Sequence, residues 1–78
     1  MNTFTAHKRT ARYERGFVFV DIDGLVELKF PVAANRRLAT GSEAQLRNIE
    51  VSPFGLHWPD LDEDLSFKGL LNGDVGAS

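Results

Sequence analysis

Two short apolar segments on either side of an Asp-Gly pair give the clearest structural signal in the chain. Residues 17–22 (Phe-Val-Phe-Val-Asp-Ile) are mostly β-branched and aromatic, and residues 25–30 (Leu-Val-Glu-Leu-Lys-Phe) form the returning segment, which alternates apolar and polar side chains from Val26 onwards. Asp23-Gly24 favours a two-residue type I′ turn, in which both positions need a positive φ. The pattern therefore predicts an antiparallel β-hairpin.

The predicted turn also fixes the pairing of the two strands. A two-residue turn sets Ile22 opposite Leu25. Phe19 then lies across from Leu28, on a side of the hairpin that also carries Phe17. Because this side is mostly apolar, we expect it to be buried and the opposite side to be half exposed.

Weaker patterns extend the hairpin into a small sheet. Residues 8–14 alternate weakly and are followed by a turn candidate at Arg15-Gly16, which together predict a three-stranded meander. Pro31 ends the third strand because it has no amide donor. Residues 49–52 and 54–58 are typical of two further short strands.

Two or three short helices complete a predicted α+β fold. A capping box (Ser42 with Gln45) opens a helix over residues 42–48, and a second helix over residues 66–72 has a serine cap and ends at Asn72-Gly73. The pattern over residues 32–39 predicts one or two further helical turns. The expected core is Phe17, Phe19, Val26, Leu28, Phe30, Leu38, Leu46, Trp58, Leu65 and Leu70.

Length and composition indicate one small globular domain. The chain has 78 residues, of which 42% are hydrophobic and 26% charged, so residues 1–78 form a single domain with an expected frayed tail at 74–78. The absence of cysteine excludes disulfides and thiolate zinc sites. Met1–Thr10 has no apolar core of a signal peptide, and no segment is apolar enough to span a membrane. We expect a cytoplasmic protein.

The charges are divided unevenly along the chain. The formal net charge is −2, which argues against nucleic-acid binding by bulk charge. Residues 1–37 carry seven basic and four acidic side chains, whereas residues 38–78 carry two basic and seven acidic ones. Four of these acidic residues fall within residues 60–64, and their closeness in the chain predicts a local acidic patch.

Asp21, Asp23 and His57 are the candidates for catalysis. Asp-Ile-Asp-Gly at 21–24 resembles the first motif of haloacid-dehalogenase-type phosphotransferases, whose two aspartates act as nucleophile and general acid. The chain departs from that motif because Leu25 stands where threonine follows, and the motif's doubly wound domain is far longer. No nucleophile in a recognisable setting accompanies the histidine. We therefore expect no catalytic residues and no cofactor.

The acidic run does not have the pattern of a calcium loop. An EF-hand loop needs glycine at its sixth position and glutamate at its twelfth, and counting from Asp60 these positions hold Leu65 and Leu71. We expect no metal site.

A longer motif around the acidic run resembles a known family. Residues 56–66 (Leu-His-Trp-Pro-Asp-Leu-Asp-Glu-Asp-Leu-Ser), residues 70–73, the 17–30 hairpin and Arg37-Leu38 are similar to a bacterial family of short proteins, domain of unknown function 2442. The likeness covers about residues 11–73. It implies a small α+β fold and no established enzyme activity. Members look like partners of small toxin-like proteins, and some are joined to DNA-binding domains.

Two functions of different kinds follow from these observations. The first is a non-catalytic protein that binds and restrains a protein partner, as an antitoxin or a phage-borne inhibitor such as an anti-CRISPR does. An acidic patch complements a basic partner surface, and its residues are Asp60, Asp62, Glu63 and Asp64.

The alternative is a DNA-binding regulator or accessory protein that uses the basic N-terminal half of the chain. We expect either protein to be a monomer or a homodimer without membrane association. The candidate basic contacts are Arg9, Arg12, Arg36 and Arg37.

Overall fold

A computed structural model describes residues 8–76, which form an α+β fold as predicted. Residues 1–7 and the last two residues of the expected frayed tail lie outside the described part. None of the helices within 8–76 is long and apolar enough to cross a membrane. The described residues form two three-stranded antiparallel sheets and three short α-helices.

Each sheet is built from neighbouring segments of the chain. The first sheet has the order β1-β2-β3 and the second β4-β5-β6. The strands are β1 (Arg9–Glu14), β2 (Phe17–Ile22), β3 (Val26–Pro31), β4 (Glu50–Val51), β5 (Gly55–Trp58) and β6 (Glu63–Ser66). A 3₁₀ turn (Val32–Ala34) precedes the helices, which are α1 (Arg36–Ala39), α2 (Glu43–Arg47) and α3 (Phe67–Leu71).

The predicted helix caps are confirmed. In α2, the Ser42 side chain accepts from the Gln45 amide at 3.2 Å, and the Gln45 side chain accepts in return from the Ser42 amide at 3.0 Å. Ser66 caps α3 by accepting from the Gly69 amide at 2.9 Å. Residues 63–66, which include the last two residues of the acidic run, form strand β6, and this strand was not predicted from the sequence.

The turn of the β2–β3 hairpin forms as predicted, but the predicted pairing of the two strands is wrong by one residue. Asp23 and Gly24 both have positive φ (58° and 72°), and the Leu25 amide donates to the Ile22 carbonyl at 3.0 Å. Leu25 is then left as an extra, unpaired residue, and Ile22 pairs with Val26. An extra residue of this kind is a bulge, which shifts every later pair of the hairpin.

This one-residue shift exchanges the two faces of β2. Val18 and Val20 are fully buried, whereas Phe17 and Phe19 lie on the opposite side of the sheet. The expectation that the two phenylalanines enter the core was therefore wrong. Residues 17–20 are apolar at every position, so alternation alone does not select the buried face.

The core lies between the inner face of the first sheet, the helices and the second sheet. Of the predicted core residues, Val26 is also outside it, and Leu28 packs at its margin. The expected frayed tail instead docks at Val75, which packs against the core. The buried hydrophobic residues are Val18, Val20, Phe30, Leu38, Leu46, Leu56, Trp58, Leu65, Phe67 and Leu70.

A polar contact joins the first sheet to α2. The Tyr13 hydroxyl on β1 donates to a Glu43 carboxylate oxygen at 2.8 Å. This hydrogen bond to the carboxylate raises the pKa of Tyr13 above its usual value. The contact holds the start of α2 against the sheet.

Candidate functional site

The first two predicted acidic residues lie in the turn between β5 and β6. Asp60 accepts from the Asn48 side-chain amide at 3.0 Å, which ties the turn to the end of α2. Asp62 has a positive φ of 51°, and its carbonyl oxygen accepts from Arg37 at 2.9 Å. The Asp62 carboxylate lies 3.5 Å from the same guanidinium nitrogen. One predicted acidic residue is thus paired with one predicted basic residue.

The other two acidic residues are on β6 and point to opposite sides of it. Glu63 is turned inwards, where it accepts from the side-chain amide of buried Asn35 at 2.7 Å. Asp64 lies directly across from His57, and the two side chains are 2.7 Å apart. The candidate catalytic residue His57 therefore makes a cross-strand contact with Asp64 between β5 and β6.

Three of the four carboxylates are presented to solvent. Asp60, Asp62 and Asp64 are exposed, with 92% of the Asp62 side chain and 78% of the Asp64 side chain accessible. Asp60 contacts Asn48 and Asp64 contacts His57, whereas the Asp62 carboxylate has a contact of 3.5 Å with the exposed Arg37 side chain. We call these three exposed carboxylates the acidic surface, and the inward-turned Glu63 is not part of it.

The predicted basic residues do not form one surface. Arg9 is half-buried, pairs with Asp23 at 3.6 Å and stacks over the Phe67 ring at 5.2 Å. It also donates to the Pro53 carbonyl and so joins the two sheets. Arg12 points to the opposite side of β1, because successive residues of a strand alternate between faces.

A further surface, which we call the outer face, lies on the side of the first sheet away from the core. Its residues are exposed or half-buried. Sequence reasoning missed it because the predicted register placed its two aromatic rings in the core. The outer face consists of Thr10, Arg12, Glu14, Phe17, Phe19, Asp21, Glu27 and Lys29.

Cationic side chains flank the aromatic rings at the centre of the outer face. The Phe17 and Phe19 ring centroids are 6.5 Å apart. The Arg12 guanidinium lies 4.4 Å from the Phe19 centroid, and the Lys29 ammonium lies 5.3 Å from the Phe17 centroid. These cation–π contacts fix the two rings on an exposed sheet surface.

The candidate catalytic aspartates support the hairpin turn. Asp21 accepts from the Gly24 amide at 2.9 Å, and Asp23 pairs with Arg9. Both lie in an antiparallel hairpin, unlike the doubly wound domain of the phosphotransferases whose motif they resemble. Among residues 8–76, no group of three or more histidine or carboxylate side chains is placed to hold a metal ion.

Residues 9–76 match a family described as "Protein of unknown function (DUF2442)". The chain belongs to this family. The resemblance seen in the sequence is thereby confirmed over nearly the whole chain.

Two solved structures of uncharacterised bacterial proteins are similar to this DUF2442 member. A crystal structure of a protein of unknown function from Rhodospirillum rubrum is 38% identical, with a TM-score of 0.76, 94% of this chain covered and 90% of that chain. A solution NMR structure of an uncharacterised protein from Chromobacterium violaceum is 32% identical, with a TM-score of 0.75 and corresponding coverages of 90% and 68%. No curated protein matches the sequence.

Proposed function

We propose that this DUF2442 protein is a non-catalytic, cytoplasmic binding protein that docks on a protein partner and restrains it, as an antitoxin or a phage-borne inhibitor such as an anti-CRISPR does. The outer face is the observation that supports this function best. It presents one exposed and one half-buried phenylalanine ring, flanked by an arginine and a lysine. Aromatic and arginine side chains are the residues most enriched at the centres of protein interfaces.

The charges of the outer face favour a protein over a nucleic acid. Arg12 and Lys29 are accompanied by Glu14, Asp21 and Glu27, so carboxylates outnumber cations. Phosphates approaching this surface would meet net repulsion, whereas a protein surface of mixed charge can complement both signs. The internal contacts of Arg9 further weaken the DNA-binding alternative.

The acidic surface supplies a second, electrostatic element of the proposed interaction. Asp60, Asp62 and Asp64 are solvent-exposed and lie close together in the chain, in and just after the β5–β6 turn. We expect them to attract a basic partner surface and to act mainly on the association rate.

Removing both rings of the outer face should greatly weaken partner binding. We expect Phe17→Ala combined with Phe19→Ala to lower the affinity by about thirtyfold or more, because interface hot spots contribute about 2 kcal/mol or more. The partner is first captured from a lysate of the native host with the wild-type chain. The partner is then purified, and calorimetry measures the Kd of its complex with the wild type and with each variant.

Phe54→Ala is the matched control, since Phe54 is an exposed phenylalanine (82%) beside the second sheet. It should leave the Kd nearly unchanged. Phe19 lies outside the core, so we expect its replacement to lower the free energy of unfolding by only about 1 kcal/mol and the double variant to remain folded. Equal binding of the partner by the folded double variant and the wild type would exclude the outer face as the interface.

Reversing two charges of the acidic surface should slow partner association. Asp60→Lys combined with Asp62→Lys changes both exposed carboxylates of the turn, and we expect the association rate to fall by about tenfold at low salt. The fall should shrink as salt is added. Surface plasmon resonance with the purified partner measures both effects. An unchanged rate and an unchanged salt dependence would show that these carboxylates are outside the interaction.

A further inference from the structure

Strand β3 is an edge strand whose outward hydrogen-bonding groups can be assigned. The first sheet has the order β1-β2-β3, so within residues 8–76 β3 has a neighbour on one side only. The Val32 amide donates to the Gly16 carbonyl at 2.9 Å, which continues the β2–β3 register. Hydrogen-bonded pairs recur at every second position of an antiparallel ladder. Leu28 therefore bonds to β2, whereas Glu27 and Lys29 direct their backbone N–H and C=O groups to the free edge.

We propose that β3 pairs antiparallel with β3 of a second copy, so that the first sheets of two molecules become one continuous sheet. The twofold axis passes through Leu28. Glu27 then lies opposite Lys29 of the second copy, and symmetry repeats this pair on the other side of the axis. Opposite charges placed directly across from each other stabilise a pair of strands. The inference is independent of the partner binding proposed above.

Backbone geometry and charge together select this register. In a regular ladder, the outward-directed residues of one copy must lie opposite the outward-directed residues of the other. The possible registers therefore differ in steps of two residues. One of these sets Glu27 against its own counterpart, and another sets Lys29 against its own. Both oppose like charges. Centring on Leu28 is the register that pairs each glutamate with a lysine.

The apolar residues along this edge fit the same arrangement. Val26 is 42% exposed and would lie opposite Phe30 of the second copy, on the inner face. Leu25 is 76% exposed and would meet Pro31 of the second copy. Pro31 directs no N–H to the edge, so the ladder ends there. The pairing thus covers exposed hydrophobic side chains that the monomer leaves in water.

Charge variants of the full chain test the proposal by sedimentation equilibrium. The wild type should show a reversible, concentration-dependent dimer. Glu27→Lys and Lys29→Glu should each weaken dimerisation by about tenfold or more, because each opposes like charges at both symmetric pairs. An equimolar mixture of the two variants should form a heterodimer, since two lysines of one chain then face two glutamates of the other.

The control variants are Glu50→Lys and Lys68→Glu, which make the same charge changes at exposed positions outside the first sheet. They should dimerise like the wild type. The double variant Glu27→Lys/Lys29→Glu restores opposite pairs and should regain the dimer. A wild type that stays monomeric up to millimolar concentration overturns the proposal. So does a dimer that is insensitive to the β3 charges, or single variants that fail to recombine on mixing.

Discussion

Replacing Trp58 with alanine should leave little of the protein folded. Trp58 is fully buried, and its indole N–H donates to the Leu46 carbonyl at 3.1 Å. Truncation removes this large contact surface and leaves a cavity, at a cost of about 3–5 kcal/mol. Small domains lie near the lower end of the usual ~5–15 kcal/mol stability. Urea denaturation followed by far-ultraviolet circular dichroism measures the loss without depending on tryptophan fluorescence.

Two further variants separate packing from the hydrogen bond. Trp58→Phe keeps an aromatic ring but leaves the Leu46 carbonyl without its donor, so we expect an intermediate loss of about 2 kcal/mol. Phe54→Ala, at an exposed ring, should be nearly neutral. A loss of less than about 1 kcal/mol in the free energy of unfolding of Trp58→Ala would contradict the placement of this side chain at the centre of the core.

The features predicted correctly from the sequence are those set by residues close together in the chain. The Ser42–Gln45 capping box spans a single helical turn, and Asp23-Gly24 needs only its own backbone geometry. The hairpin register depends instead on tertiary packing. Residues 17–20 offer an apolar side chain to either face, and the bulge at Leu25 carries no strong local signal. Val18 is buried in the core together with residues from distant parts of the chain, and this burial selects the face of β2 that points inwards.

The dependence on contacts between distant residues also limits what could be predicted of the candidate site. The acidic residues are visible as a run in the sequence, but their different roles depend on long-range partners. Glu63 contacts Asn35, 28 residues earlier, and Asp62 contacts Arg37, 25 residues earlier. The outer face was missed because it follows from the register. Its rings become visible as a surface only when the tertiary fold is known.

Asn35 was the main polar residue that sequence reasoning missed. It is the only buried polar residue within 8–76, and its side-chain amide makes three hydrogen bonds. Its oxygen accepts from the Leu38 amide at 3.0 Å and caps α1. Its nitrogen donates to Glu63 at 2.7 Å and to the Val75 carbonyl at 2.8 Å. One side chain therefore joins α1, β6 and the docked C-terminal segment.

Replacing Asn35 with alanine should lower the free energy of unfolding by about 2–4 kcal/mol. Loss of the cap accounts for about 1 kcal/mol, and the rest comes from leaving Glu63 and the Val75 carbonyl without a donor. Asn35→Asp should keep the cap but place a second carboxylate against Glu63. Two adjacent carboxylates raise each other's pKa, so protonation is favoured in the folded state. The Asn35→Asp variant should therefore be least stable at neutral pH and should recover as the pH falls.

A second substitution distinguishes loss of the donor from a general loss of packing. In Asn35→Asp combined with Glu63→Gln, the new amide nitrogen faces the new carboxylate, so the hydrogen bond is reversed rather than removed. We expect the double variant to be more stable at neutral pH than Asn35→Asp alone and to lose most of the pH dependence. Recovery should be incomplete, because the Val75 carbonyl still lacks its donor. Urea titrations at several pH values measure both changes. If the double variant is no more stable than Asn35→Asp, the Asn35–Glu63 hydrogen bond does not hold α1 to β6.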